Sequence, residues 1–361
     1  MAKKVSLRLP RPDDDSVSRM PPQSRSTYIN HILPAEKTAI DKEGPNPQHI
    51  SVERRYVGVL GGFLIEPVNE TARGCLSVDI ENHQGSYEKL VELGRFYYNN
   101  YIRHFKSAAV PTPKTPSHPS RPSFDRVADE IAPRLVHIPH NHSEAKKLAL
   151  FRDGCQCMLT GKFEDSMVEE YPSRFPPGAE SWLAPTRCAH IIPESINTFT
   201  PSTNPEVKLR RAVDLAAGFW SVLERFGYPN ARTELSGRKC HRLSNVLTLS
   251  VEAHVVMGRL CLWFESTGEV CPGNGWPAQV TFQVRDDLGI PELLRPKEGG
   301  SELPNPDYLA LHAACCKVAH LSGAPLEGSI FHGPESHRVL AQDGSSVVVL
   351  CEELYRLVGP M

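Results

Sequence analysis

The chain has 361 residues, 40% of them hydrophobic and 23% charged, with a formal net charge of -2. This is an ordinary globular composition, and its near-neutrality counts against tight, constitutive nucleic-acid binding while leaving room for a local basic patch. There is no run of about 18 apolar residues and no apolar stretch after M-A-K-K-V-S-L-R-L-P that would suit a signal peptide, so the sequence predicts a soluble, intracellular protein with no membrane partner.

Residues 1–50 are rich in Pro, Ser, Asp and Lys and predict a mobile tail. From Tyr56, Y-V-G-V-L-G-G-F-L-I reads as a buried strand, or as two strands broken at Gly61-Gly62. Residues 75–80 alternate and read as another strand. Leu90, Leu93, Phe96, Tyr97, Tyr101 and Phe105 recur at helical spacing and predict a helix over 87–106, with Ser86 as its N-cap. Residues 51–110 are therefore expected to form a small β-β-α unit for packing or interaction, followed by a proline-rich linker over 111–125. His137, His140 and His142 cluster in a Pro/Asn-rich turn, read as solvated rather than metal-binding, and Ser143 caps a short helix running into Gly154.

Residues 155–265 hold the pieces with chemical potential: C-Q-C-M-L-T-G, R-C-A-H-I-I-P and L-S-N-V-L-T-L-S-V-E-A-H-V-V-M-G. Ile191-Ile192 give the His190 segment strand character, and Asn245 opens a second apolar strand. His254, nine positions after Asn245, falls on a helix that Ser250 would cap. Hydrolysing a phosphodiester at neutral pH needs a base to activate water and a cation to stabilise developing charge. A histidine before one strand end, an asparagine at the turn and a histidine on the following helix are residue types suited to that chemistry.

The segment R-D-G-C-Q-C-M-L-T-G, with C-A-H-I-I-P-E-S, L-S-N-V-L-T-L, the later histidine and L-C-L-W-F-E, resembles the HNH endonuclease family. More narrowly, it is similar to the HNH domains of large, mostly uncharacterised fungal families, which L-P-N-P-D-Y-L-A-L-H-A-A-C and V-L-A-Q-D-G-S-S also resemble. The resemblance implies an α+β fold with a central ββα-metal domain over 143–270. It implies His190 as the general base, Asn245 as the residue that orients it, and His254 as ligand to one divalent metal ion, Mg²⁺, Mn²⁺ or Zn²⁺. The substrate would be DNA, or RNA as the second choice. Two departures stand out. Ala189 and Gly258 occupy places where many such sites carry a further ligand, which keeps open a catalytically degenerate protein that binds nucleic acid or protein.

A helical insertion is expected over 203–232, with an apolar stripe of Leu209, Val213, Ala216, Trp220, Leu223 and Phe226 ended by Gly227. Lys208, Arg210 and Arg211, with Arg225, Arg232, Arg238, Lys239 and Arg242, make the densest basic neighbourhood, read equally as a phosphate-contacting face or a solvated helix surface. The ten cysteines include no C-x-x-C pair, and Cys155, Cys157, Cys188 and Cys240 read as buried reduced thiols. Trp263 reads as a core residue. A C-terminal extension over 271–361 contains a strand at 276–284, a helix through P-D-Y-L-A-L-H-A-A-C-C-K-V-A-H-L-S ended by Gly323, and a last helix over 345–358.

Overall fold

The computed structural model describes residues 8–44, 50–106, 138–196, 217–265 and 302–323. The fold is α+β and mostly helical, with two small two-stranded sheets. The linker at 111–125, the strand at 276–284, the helix at 345–358 and the first part of the insertion lie outside the described residues.

Residues 8–44 are built into the fold rather than forming a tail. Helices α1 (Asp15–Ser18), α2 (Pro22–Thr27) and α3 (Leu33–Glu43), with a π-turn at Tyr28–Ile32, pack against the core. The segment has few apolar side chains, but Tyr28, Ile32, Ala35 and Ala39 recur at helical spacing and are all buried. Average polarity hid that stripe.

The expected β-β-α unit is helical throughout. Helix α4 (Val52–Ile65) is capped by Ser51, whose side chain accepts from the Arg54 amide, and every residue from Val57 to Ile65 is buried. A run buried on all sides carries no period, so in the sequence its β-branched and glycine content reads as strand. The glycines instead serve helix packing. A Cβ at Gly58 would come within 3.0 Å of Ser322, and one at Gly62 within 3.0 Å of Val318. Helix α5 (Glu70–Asn82) starts at Asn69, whose side chain accepts from the Ala72 amide, and buries Ala72, Leu76, Ser77 and Ile80.

The expected helix over 87–106 is present as α6 (Tyr87–Tyr97), a π-turn at Tyr98–Ile102 and α7 (Arg103–Lys106). Ser86 makes no side-chain capping bond. Gly94 lets α6 lie against α4, since a methyl there would strike the Tyr56 carbonyl. Gly94→Ala is expected to lower stability by about 1–3 kcal/mol through overpacking, read as a lower urea midpoint.

Helix α8 (His142–Arg152) is capped by Asn141, two residues earlier than the expected Ser143. Short strands β1 (Phe163–Glu164) and β2 (Leu183–Ala184) pair in parallel, with α9 (Asp165–Glu170) between them. Then β3 (Thr186–His190) pairs antiparallel with β4 (Val246–Ser250), His190 opposite Val246 and Thr186 opposite Ser250. Between β3 and β4, residues 217–225 form helix α10 and Ala231–Leu235 form α11. Helix α12 (Val251–Gly258) follows β4 directly, capped by Ser250 through the Ala253 amide. The strand, strand and helix order expected around His190, Asn245 and His254 is therefore present.

The last described element, α13 (Pro306–Ser322), has Asn305 as N-cap and Gly323 in the left-handed region at φ 76°, as its sequence predicts. It packs along α4. The insertion helix α10 faces the N-terminal helices, where the Phe226 ring meets Phe63, Tyr97 and Tyr101. One hydrophobic core thus joins residues from Leu9 to Ala319, including Ala189, Ile191 and Leu247 of the ββα segment. The N-terminal helices share this core with the ββα segment instead of forming a separate unit. Among the described residues no helix is long and apolar enough to cross a membrane.

Candidate functional site

The β3–β4 pair and α12 are held from below by one buried cation. Arg152, at the end of α8, is 1% exposed and donates to the carbonyls of Leu243 (2.5 Å) and Val246 (2.9 Å). It also binds Asp153 through two contacts of 2.6 and 2.8 Å, and Asp153 accepts from the Thr248 amide. The R-D pair of the sequence motif therefore ties α8 to the turn that holds Asn245 and to the start and middle of β4.

Asn245 is fully buried. Its Oδ1 accepts from the Ile192 amide at 2.9 Å, and its Nδ2 donates to the carbonyls of Ile192 (3.0 Å) and Cys240 (2.8 Å). The side chain thus fixes the chain just past His190 and just before His241. Asn245→Ala would strand an amide and two carbonyls in the interior, and a loss of about 3 kcal/mol or more is expected, measured as a lowered denaturation midpoint.

His190 and His254 line one cleft, together with Ala189, Ile191, Pro193, Met257, Gly258, Phe105 and His312. Both sequence-assigned histidines are thus brought together. The two departures, Ala189 and Gly258, also line the cleft and offer it no donor side chain. Burial, with His142 beside it, holds His190 down to about 3, and burial with Arg187 nearby holds His254 down to about 4. Both rings are neutral at pH 7, as a proton acceptor or a metal ligand must be.

Three side chains besides Asn245 and His254 gather around His190. His190 Nε2 lies 3.1 Å from His241 Nδ1. The His142 ring stacks on His190 with centroids 5.3 Å apart. Glu194 reaches both neighbours, with oxygens 3.7 Å from His142 Nδ1 and from His241 Nε2. His142 holds Glu194 below the usual carboxylate range, while burial lowers His241. His142 is therefore no solvated turn residue. It heads α8, whose start is aimed at the end of β3. The signal available in the sequence was Asn141 followed by Glu144, an N-cap pattern that places His142 at the first helical position. His241 had none, because a short 3-10 turn at Gly237–His241 directs it.

The basic residues are placed as follows. Lys208, Arg210 and Arg211 lie outside the described residues. Arg242 is paired with Glu302 at 2.6 Å, Lys239 donates to the Thr233 carbonyl, and Arg238 approaches His140 at 3.4 Å. Arg225 pairs with Asp79 on α5, away from the cleft. Pairing with Glu302 and Asp79 takes up the charge of Arg242 and Arg225. Arg187 on β3 is exposed and close enough to His254 to lower its pKa, which makes it a cation beside the cleft that the sequence reading passed over.

Among the described residues no cysteine forms a disulfide, and Cys155, Cys157, Cys188 and Cys240 are buried as expected. Trp263 packs partly buried against the core, its Nε1 donating to Glu265.

His312, on α13, closes the cleft from the far side. Its ring abuts Phe105 and lies 3.6 Å from Cys316 Sγ, and burial pushes it down to about 4. Between pH 6.5 and 4 the unfolded chain accepts a proton here that the folded chain refuses. Stability is complete above that window and falls as pH drops through it, by up to about 1.4 kcal/mol per pH unit. Wild type is expected to lose about 2 kcal/mol more than His312→Leu between pH 7 and pH 5, measured by urea unfolding at both pH values.

No family model, curated protein or solved structure matches this chain.

Proposed function

We propose that the protein is a metal-dependent phosphodiester hydrolase of the HNH type, acting on DNA in preference to RNA, with His190 as the base that activates water. The observation carrying this reading is the convergence of His190 and His254 on one cleft, at the end of a β3–β4–α12 unit pinned by Asn245.

The residues fit a metal ion with one restriction. The lining offers three imidazoles, those of His190, His254 and His312, and no carboxylate, a donor set suited to Mn²⁺ or Zn²⁺ and to Mg²⁺ only with most of its waters kept. His254 would hold the ion, which would supply Lewis-acid stabilisation of charge on the phosphate and leaving oxygen. His190 works through its other nitrogen. With Nε2–H donated to His241 Nδ1, the Nδ1 lone pair of His190 takes the proton of the attacking water. His241 Nε2, 3.7 Å from Glu194, then lets the carboxylate stabilise the imidazolium through His241. An anionic phosphodiester in the cleft favours protonation of His190 and so raises its basicity from the low value that burial imposes. Arg187 supplies a cation at the rim.

The full-length chain should nick supercoiled plasmid in Mn²⁺, Mg²⁺ or Zn²⁺ and stop on chelation. Failure to cleave DNA or RNA with any of these ions overturns the reading. A second reading, a nucleic-acid-binding protein without catalysis, is favoured by Ala189 and Gly258, since both line the cleft without offering a ligand. Retained DNA binding without cleavage would select it.

A further inference from the structure

His190 also belongs to a second set of donors, on the side of the strand that meets α8. Cys188 and His190 are two apart on β3, so both side chains leave the same face. His142, at the start of α8, stacks on that face. The ligand atoms of His142, Cys188 and His190 all lie within 4.8 Å of one another. We propose that these three residues form a binding site for a borderline-soft divalent cation of the Zn²⁺ class, distinct from the His254 position.

The chemistry of the donors decides the ion. Two imidazoles and a thiolate select Zn²⁺ or Co²⁺ over Mg²⁺ and Ca²⁺, which take oxygen ligands. Around a tetrahedral ion with bonds of about 2.0–2.3 Å, ligand atoms stand roughly 3.3–3.8 Å apart. The ligand atoms, within 4.8 Å of one another, have to draw together by up to about 1.5 Å to close on it. The outer partners are already in position. Each imidazole that binds zinc ordinarily has its second nitrogen tied to an acceptor. Here His142 Nδ1 faces Glu194 at 3.7 Å, and His190 Nε2 contacts His241 Nδ1 at 3.1 Å. That leaves one nitrogen of each ring for the ion. The fourth position would be filled by water from the cleft that His190 lines.

A neighbouring trio, His190, Cys240 and His241, shares the central imidazole. It is the weaker candidate. His241 Nδ1 is already engaged with His190, and Cys240 is adjacent to His241 in a short 3-10 turn whose Cys240 carbonyl is held by Asn245. Binding at His142–Cys188–His190 does not depend on the hydrolytic reading. If both hold, the ion occupies the lone pair that the base needs, so the two uses of His190 exclude each other.

The test is a Co²⁺ titration of the chelator-stripped full chain, followed by Zn²⁺. One Co²⁺ should bind with visible bands of tetrahedral intensity and a near-ultraviolet thiolate charge-transfer band, and Zn²⁺ should bleach both. Cys188→Ser should abolish the thiolate band, and His142→Ala should weaken Co²⁺ binding at least about tenfold. Cys240→Ser and His254→Ala should keep the band. A wild-type protein with no thiolate band overturns the proposal, as does a band that survives Cys188→Ser or disappears with Cys240→Ser. Circular dichroism checks that each variant folds. Should Cys188→Ser fail to fold, the half-buried His142→Ala decides, and unchanged Co²⁺ affinity in that variant is a negative result.

Discussion

Replacing His190 with alanine is expected to reduce phosphodiester cleavage by about 10²–10⁴-fold, the usual contribution of a positioned general base. The size of the loss follows from the surroundings. The ring is held by His241 on one edge and His142 on one face, so its proton-accepting nitrogen is fixed in position. His254→Ala should behave differently, raising the metal concentration needed for half-maximal rate because it removes a ligand and leaves the base intact. Plasmid nicking measured across a metal titration separates the two variants. Full activity in His190→Ala sinks the assignment of the base, whatever the outcome for His254.

The largest effect on stability is expected at Arg152. Arg152→Met removes a guanidinium that is 1% exposed and leaves the Asp153 carboxylate and the carbonyls of Leu243 and Val246 without their partner. Breaking a buried ion pair from one side costs about 3–5 kcal/mol, because the remaining charge stays enclosed. The double replacement Arg152→Met with Asp153→Asn should recover part of this loss. Chemical unfolding of the single and double variants measures the coupling, and additivity between two residues in such contact would contradict the geometry. A protein weakened there should also lose its cleft, since Arg152 anchors the start of β4 and the turn before it.

The local order around the cleft was legible because each element carries its own punctuation. Ser250 caps α12, Asn305 caps α13 and Gly323 ends it in the left-handed region. Strands β3 and β4 come before these signals. The N-terminal half was misread for two opposite reasons. In α4 the apolar run is so complete that no period remains, and its glycines serve contact with α13 rather than a strand break. In residues 8–44 the apolar residues are so sparse that a helical stripe of Tyr28, Ile32, Ala35 and Ala39 vanished into the average. The site residues divided along the same lines. His190, Asn245 and His254 lie on elements with a clear pattern. His142, His241 and Glu194 sit at a helix start and in 3-10 turns, where direction is set by packing across long sequence separations.

The cleft wall has a consequence for the time at which the site comes into being. Phe105 reaches it from α7, and His312 from α13, more than two hundred residues later in the chain. Helix α13 is seated in the groove left by Gly58 and Gly62 on α4. During synthesis, which proceeds from the N-terminus, the strands and α12 are made long before the helix that closes them in. A nascent chain therefore cannot complete this wall until residue 323 has left the ribosome, and any activity that depends on the closed cleft waits for that moment.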